Sequence, residues 1–224
     1  NGRRRNDNGE RMSRILCVDN IIRVLPGGTR LISPLSFEGS SGESIFVQAS
    51  EIRREALFDI LSGLSKPDTG RVLLCGEDLY DRTEEETAQL RCRNIGAVPA
   101  RIRFLPELGT VDNIALPQVI AGVDPDKAAE NIKQQSSGIV SSMILEQKAA
   151  SLTPFARALT GLIRAAANTP KLLLLDDFMC ELDEKNLPDI WYTIHEIRPK
   201  DSLLIYMSST VAPEKCVWTQ EIRL

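Results

Sequence analysis

Two adjacent carboxylates, Asp176 and Asp177, follow the apolar run from Leu172 to Leu175. A continuous apolar run of this length is typical of a strand that is buried on both faces. Carboxylates at the end of such a strand can bind Mg²⁺ or take a proton from an attacking water. Loop amides also hold such carboxylates where no ligand is bound. The pair alone therefore leaves a metal site and a structural role both open.

Residues 48–56 form a second candidate, because they join a short apolar strand pattern to a helical pattern that reaches residue 64. Arg53 and Arg54 are suited to an anion such as a phosphate. Glu51 and Glu55 lie close enough along a helix to pair with these arginines. We interpret the four charges as structural pairs and keep anion binding through the two arginines as the alternative.

The chain offers few other groups for catalysis or metal binding. Its single histidine, His195, lies in a helical pattern, where we expect a surface or packing role. None of the five cysteines belongs to a CxxC pair, so we expect reduced thiols and no metal site. These cysteines are Cys17, Cys75, Cys92, Cys180 and Cys216.

Composition and charge exclude several classes of protein. The 224 residues are 42% hydrophobic, as in an ordinary globular domain. The net charge of −4 argues against a nucleic-acid partner. No apolar run approaches the roughly 20 residues of a membrane-spanning helix, and no signal peptide is visible, so we expect a cytoplasmic protein. The polar residues 1–13 predict a disordered tail.

The elements that must position these residues alternate between strand and helix. Buried strand patterns that alternate with helices indicate an α/β fold with parallel strands. An antiparallel β portion precedes the core, and a mostly helical stretch interrupts it. Strands are predicted over 14–25, 30–38, 43–48, 71–79, 94–98, 171–177, 202–209 and 216–224, and helices over 51–64, 83–93, 186–198 and most of 110–169.

Several segments resemble the nucleotide-binding cassettes of ABC transporters in order and spacing. The clearest are GRVLLCGEDL at 70–79, NIGAV at 94–98 and FLPELGTVDNIALP at 104–117. The similarity is closest to the branch that serves lipoprotein-release, macrolide-export and cell-division permeases. It implies a RecA-like, P-loop-NTPase-type α/β core with an antiparallel β subdomain and a helical subdomain at about 105–165. We expect residues 14–224 to form one such domain.

The resemblance implies an ATP and Mg²⁺ site, yet the motifs that would form it differ here. The phosphate loop GxxxxGK[ST] uses glycines to turn backbone N–H groups towards phosphates, with a lysine and a hydroxyl for charge and Mg²⁺. Residues 48–56 contain no glycine. The loop positions are occupied by Gln48, Glu51, Arg53, Arg54 and Glu55.

The remaining family positions have changed in the same way. Leu25 stands at the adenine-stacking position, Ala100 at the glutamine position and Ser208 at the histidine position. Asp176 and Asp177 match the Mg²⁺ and water-activating carboxylates. The signature LSGGQ is matched by Leu152, Thr153, Pro154, Phe155 and Ala156. We therefore predict no catalytic residue, no bound metal and no cofactor.

Two functions remain open. The first is a non-catalytic cassette, a pseudo-ATPase, that docks on an integral-membrane permease and pairs with a second cassette, at the inner face of the cell membrane. The alternative is a cassette that keeps nucleotide binding or weak hydrolysis through a rearranged site of Arg53, Arg54 and Asp176. A helix running through residues 48–56 would argue against that site. The resemblance places the partner contacts at Arg101, Arg103, Phe104 and Asp183.

Overall fold

The computed structural model describes residues 13–214 and 216–224. Apart from Ser13, the predicted disordered tail lies outside the described residues. The strands are β1 (Arg14–Val24), β2 (Arg30–Ser40), β3 (Ser44–Gln48), β4 (Thr69–Leu74), β5 (Glu77–Asp78), β6 (Ile95–Val98), β7 (Leu172–Asp176), β8 (Leu203–Ser208) and β9 (Gln220–Arg223). The helices are α1 (Glu51–Leu61), α2 (Glu84–Asn94), α3 (Thr110–Ile120), α4 (Pro125–Gln135), α5 (Ser142–Leu145), α6 (Pro154–Ala166) and α7 (Leu187–Ile197).

The chain divides into two compact units. One comprises the described residues up to Arg91 together with those from Lys200 to Leu224, and the other comprises Cys92–Pro199. No helix of the described residues is both long and apolar enough to cross a bilayer.

The first unit contains an antiparallel sheet with the strand order β2-β1-β4-β5. It also contains parallel strands, in which β3 lies between β8 and β9. Every residue of β8 is buried, as the continuous apolar run predicts for a strand covered on both faces. The strand predicted at the C-terminus is shorter than expected, because only Gln220–Arg223 pairs with β3.

The second unit pairs β6 with β7 in parallel and contains helices α3–α7. All five residues of β7 are buried. Gly96 lets the backbone of α6 approach β6, because a Cβ atom added at this glycine would lie 2.1 Å from the carbonyl oxygen of Ala165. The mostly helical stretch predicted from residue 110 is confirmed by α3, α4, α5 and α6.

Helix termini in this unit follow the local sequence. Asp124 caps the N-terminus of α4, and its side chain accepts hydrogen bonds from the backbone N–H groups of Asp126 and Lys127. Thr153 begins α6 in the same way, with Pro154 in the first helical position. Such caps satisfy donors that the helix itself leaves unpaired.

Candidate functional site

The segment matched to the phosphate loop is part strand, part helix. β3 ends at Gln48, and the backbone N–H of Ala49 donates to the carbonyl oxygen of Ser208 at 3.1 Å. Ser50 is extended, with φ −64° and ψ 156°. Its carbonyl oxygen accepts from the backbone N–H groups of Arg53 at 3.0 Å and Arg54 at 2.9 Å. Helix α1 therefore begins at Glu51 and takes in the last six residues of the segment.

This conformation differs from a loop wrapped around phosphates. None of residues 48–56 has a positive φ, so consecutive N–H groups do not form the concave turn of a phosphate nest. The groups that remain for an anion are the N–H groups of the first turn of α1 and the partial positive charge of that helix end. Glu51, which is exposed, places a carboxylate at this same end.

The two arginines of the segment differ in accessibility. Arg54 is only 4% exposed, whereas Arg53 is half-buried. Glu55 is exposed, as is Ile52, whose side chain is 52% accessible. Of the two arginines, Arg53 is thus the more available to a ligand from solvent.

Two more predicted positions lie in the first unit. Ser208 is buried and lies beside Gln48 in the β3–β8 register. Its Oγ atom lies 3.0 Å from the Oγ1 atom of Thr210 and accepts from that residue's backbone N–H at 3.2 Å. Leu25 lies at the β1–β2 turn, where its N–H donates to the carbonyl oxygen of Thr29 at 2.8 Å. The fold thus brings the histidine position against the phosphate-loop segment.

The carboxylate pair lies in the second unit at the end of β7. Asp176 is 2% exposed, and Asp177 has a φ of +36°. A left-handed backbone is uncommon outside glycine, although Asp and Asn are enriched in it. Val98 and Leu175 are register partners in parallel strands, so Ala100 and Asp176 follow at the same sheet edge. Both positions thus lie at one edge of the paired strands, and Ala100 supplies no glutamine side chain there.

The signature positions form the N-terminus of α6. The side chain of Thr153 accepts a hydrogen bond from the backbone N–H of Ala156 at 3.2 Å. Leu152 and Ala156 are buried, while Phe155 is half-buried. The helix end therefore uses its own threonine as a cap and carries a ring where the family has a glycine.

The predicted partner-contact segment is held against α6. The guanidinium carbon of Arg164 lies 4.7 Å from the centre of the Phe104 ring, and that of Arg157 lies 5.6 Å from it. Arg164 also donates to the carbonyl oxygen of Arg103 at 2.8 Å, and burial lowers the pKa of this guanidinium. Arg101 and Arg103 are exposed.

Sequence reasoning missed Arg157 and Arg164 as neighbours of this segment. Their spacing of seven residues places both on one face of α6, and that spacing is the signal that identifies them. Asp183, the other predicted contact, is exposed and lies 3.2 Å from the Nζ atom of Lys185. His195 is exposed on α7, which agrees with a surface role.

Comparison with known proteins identifies the family. The family model described as "ABC transporter" matches residues 56–179, which is more than half of the chain. The chain belongs to the ABC transporter family. The match begins at Ala56, so residues 48–55 of the phosphate-loop segment lie outside it.

Curated relatives match about three quarters of this cassette, at about 30% identity over the matched residues. It is 30% identical over 170 residues to the lipoprotein-releasing system ATP-binding protein LolD of Shewanella oneidensis, covering 75% of this chain and 74% of the relative. It is 31% identical over 172 residues to LolD of Paramagnetospirillum magneticum, covering 75% and 76%.

Solved structures share its fold at lower identity. The dimeric structure of MJ0796, a bacterial ABC transporter cassette, superposes with a TM-score of 0.77 at 17% identity and covers 88% of each chain. The cbiO1 protein of Clostridium perfringens superposes with a TM-score of 0.72 at 16% identity, covering 87% of this chain and 78% of that one. These likenesses confirm the P-loop-NTPase-type α/β core with its antiparallel and parallel strands.

The prediction that the chain uses no cofactor is wrong. The finding that overturns it is that the relatives of this cassette are named ATP-binding proteins. The prediction gave the altered motifs more weight than the rest of the cassette, which remains similar over three quarters of its length.

The residues at the phosphate-loop positions nevertheless do not fit a nucleotide in the manner of a glycine-rich loop. Residues 48–56 lack the left-handed backbone that such a loop needs, and Glu51 carries a negative charge at the helix end. Among the described residues, no group of three or more His, Cys, Asp or Glu is arranged to hold a metal ion. Any nucleotide bound by this chain must therefore be held in another arrangement.

Proposed function

We propose that this chain is the nucleotide-binding cassette subunit of an ABC-type membrane transport complex, and that it binds ATP weakly through a rearranged site and hydrolyses it slowly. The observation that carries the proposal is the family match from Ala56 to Met179. Residues 51–56 of the phosphate-loop segment form the first turns of α1, so the nucleotide site must differ from a wrapped loop. The N-terminus of α1 keeps a partial positive charge, and Arg53 lies half-buried in its first turn.

Physical magnitudes explain why binding is expected to be weak. A micromolar nucleotide site corresponds to about 8 kcal/mol of binding free energy. A carboxylate about 4 Å from a phosphate charge opposes binding by about 4 kcal/mol at an effective dielectric constant near 20. Glu51 is exposed, so water and salt reduce this repulsion. Glu51 and the lost amide cradle together remove much of the affinity without abolishing the helix-end attraction.

We expect slow hydrolysis because the residues at the family's water-orienting positions in the second unit have changed. Asp177 carries one methylene fewer than the glutamate that orients water in the family, and it is held at a φ of +36°. Small displacements of a catalytic group reduce rates steeply. Ala100 supplies no side-chain amide at the same sheet edge. We expect turnover far below that of an intact cassette.

The same proposal covers the partners of the chain. Relatives are named as parts of a lipoprotein-releasing system, and cbiO1 is described as part of an ABC transporter complex. By analogy, Arg101, Arg103 and Phe104 contact an integral-membrane permease subunit at the cytoplasmic face. The structure of MJ0796 is described as dimeric, which supports pairing with a second cassette. We place Asp183 in that contact by the family resemblance alone.

The experiment that tests the proposal compares the natural chain with a restored loop. The restored variant combines Gln48→Gly, Glu51→Gly, Arg53→Gly, Arg54→Lys and Glu55→Ser, and a matched control carries Glu85→Gln on α2. Thermal unfolding is measured with and without millimolar Mg-ATP, since a ligand that binds the folded state raises the melting temperature. Phosphate release is measured in parallel.

We expect Mg-ATP to raise the melting temperature of the natural chain slightly. The restored variant should reach the same rise at an ATP concentration at least tenfold lower. Turnover of the natural chain is expected above the buffer background and below that of the restored variant. A natural chain whose melting temperature does not respond to Mg-ATP, while the restored variant responds, contradicts nucleotide binding by this site.

A second candidate is a cassette that supports assembly of the complex and does not hydrolyse ATP. The start of α1 at Glu51 favours it, because a helix through residues 51–56 leaves no wrapped phosphate loop. Well-packed strands β7 and β8 show that the fold itself is intact. Turnover equal to that of an Asp176→Asn variant, with the permease complex still assembled, would favour this candidate over weak hydrolysis.

A further inference from the structure

Two arginines on one face of α6 converge on a single aromatic ring. The guanidinium carbon of Arg164 lies 4.7 Å from the centre of the Phe104 ring, and that of Arg157 lies 5.6 Å from it. The two guanidinium carbons are therefore at most about 10 Å apart, which is the sum of these two distances. Two positive charges thus share one small region of the second unit.

This arginine pair has no acidic counterpart in the described part of the chain. Neither Arg157 nor Arg164 lies within 4.0 Å of a carboxylate among these residues. By contrast, Arg82, whose side chain is 19% exposed, lies 3.0 Å from a carboxylate oxygen of Glu77. Arg157 and Arg164 are half-buried, and a cation that has lost part of its hydration is stabilised by a nearby anion. An anion bound between the two guanidinium groups would supply the missing charge.

Most N–H donors of the arginine pair are not used within the described residues. Each guanidinium group carries five N–H donors. Arg164 donates to the carbonyl oxygen of Arg103 at 2.8 Å, and Arg157 donates to that of Ile102 at 3.5 Å. Neither group makes another hydrogen bond in this part of the chain. These contacts and the Phe104 ring hold the two groups in place before a ligand binds, and pre-organisation of this kind favours binding.

The separation of the two groups indicates the size of the anion. A phosphoryl group accepts two parallel hydrogen bonds from one guanidinium group. With ordinary bond lengths, a single phosphate bridges guanidinium carbons up to roughly 8 Å apart, and a diphosphate bridges carbons up to roughly 11 Å apart. The separation here is at most about 10 Å. A diphosphate therefore reaches both arginines over the whole permitted range, whereas a single phosphate does so over part of it.

We propose that Arg157 and Arg164 form an anion site that binds a diphosphate group, supplied either as inorganic diphosphate or by a nucleotide. Each arginine contacts one phosphoryl group. The exposed Arg101 and Arg103 add to the attractive field without closing the site. The site shares no residue with the arrangement around Arg53 at the start of α1 that is proposed above to bind ATP.

Binding is tested by isothermal titration calorimetry on the full chain without Mg²⁺. Inorganic diphosphate, ADP, AMP and sulfate are titrated separately. The variants Arg157→Gln and Arg164→Gln remove one cation each, and Arg91→Gln is the matched control, because Arg91 is also a half-buried arginine. Melting temperatures establish which variants fold. If Arg164→Gln does not fold, Arg157→Gln decides the test, since the one hydrogen bond that it removes is long.

We expect one inorganic diphosphate to bind per chain. Arg157→Gln and Arg164→Gln should each lower its affinity about tenfold or more, because each loses charge-assisted hydrogen bonds, and Arg91→Gln should leave the affinity unchanged. AMP and sulfate should bind at least tenfold more weakly than diphosphate. ADP that binds more tightly than inorganic diphosphate, with the same loss in Arg157→Gln, would identify a nucleotide as the source of the group.

A second measurement uses the natural chain and needs no variant. Phenylglyoxal modifies accessible guanidinium groups, and mass spectrometry follows the modification of each arginine. Diphosphate should slow the modification of Arg157 about tenfold and leave that of Arg91 unchanged. Equal rates for Arg157 with and without diphosphate would contradict the site.

Three calorimetric results would overturn the proposal. The first is that neither inorganic diphosphate nor ADP binds at millimolar concentration. The second is an affinity that Arg53→Gln abolishes and Arg157→Gln retains, which would place the anion at the start of α1. The third is sulfate binding as tightly as diphosphate, which would show attraction by charge alone. A chain that binds diphosphate through Arg157 but neither binds nor hydrolyses Mg-ATP would keep this site and contradict the proposed function.

Discussion

Replacement of Gly96 by alanine tests how β6 and α6 pack in the second unit. An added Cβ atom at this position would lie 2.1 Å from the carbonyl oxygen of Ala165 and 2.8 Å from the Cγ atom of Pro170. Real Cβ contacts are essentially never shorter than 3.0 Å, so the helix backbone must move by about 0.9 Å, the difference between 3.0 and 2.1 Å. A backbone oxygen cannot avoid the contact by changing rotamer.

The expected cost follows from this displacement. Overpacking of a core typically destabilises by about 1–3 kcal/mol, and more where backbone must shift. The reduced freedom of the unfolded chain returns about 0.4–1 kcal/mol of stability. Because a backbone oxygen must move, the cost lies at the upper end of the overpacking range, and we expect Gly96→Ala to lower the free energy of unfolding by about 2–3 kcal/mol. For a chain of this size the melting temperature should fall by about 4–12 °C.

The assay is urea and thermal unfolding followed by circular dichroism, with Gly39→Ala as the matched control. At Gly39 an added Cβ atom would lie 2.4 Å from the Cδ2 atom of Leu203, a side-chain atom that can move. Gly39→Ala should therefore cost less, about 0–1 kcal/mol, which is the lower end of the overpacking range less the gain from the unfolded chain. A Gly96→Ala variant as stable as Gly39→Ala, or one within about 2 °C of the natural chain, would refute direct packing of α6 on β6.

Three further substitutions test the site and the core. Glu51→Gln should raise the affinity for Mg-ATP about fivefold in calorimetry, because it removes a screened carboxylate charge at the start of α1; unchanged affinity would show that the nucleotide does not approach this helix end. The Oγ1 atom of Thr160 is buried with no hydrogen-bond partner in the described part of the chain. Thr160→Val should therefore raise the free energy of unfolding by about 1–2 kcal/mol in urea unfolding, whereas Thr160→Ser should not. A destabilised valine variant would show that the hydroxyl has a hydrogen-bond partner. Cys75 has a φ of +52° before Gly76 in the turn that joins β4 and β5, so Cys75→Asn should stabilise by about 0.5–1 kcal/mol in thermal unfolding; a lower melting temperature would contradict strain at this position.

The order of strands and helices was accessible from the sequence because apolar periodicity depends on local residues. The runs that became β7 and β8 are apolar without interruption, and both strands are fully buried. Helix α4 likewise begins where Asp124 and Pro125 indicate. Predictions were less accurate where pairing depends on a distant strand, as at the C-terminus, where β9 spans only Gln220–Arg223.

The residues of the candidate site stay predictions. Comparison of motifs located the phosphate-loop, carboxylate and signature positions, and the fold places Ser208 beside Gln48. The same comparison led to the wrong prediction that the chain uses no cofactor. The absence of motif residues does not by itself show that a cassette similar to its relatives elsewhere binds no nucleotide. The single-domain boundary at residue 14 and the helical subdomain at 105–165 stay predictions.

The sequence by itself determined the family, the order of elements and the identity of the altered positions, since these depend on residue types and spacings along the chain. Only the tertiary structure decided that α1 begins at Glu51 and that Asp177 is held with a positive φ. It also decided that Arg157 and Arg164 hold Phe104. These features depend on backbone conformation and on contacts between residues about 50 to 60 positions apart, and a pattern along the chain does not specify which distant side chains meet.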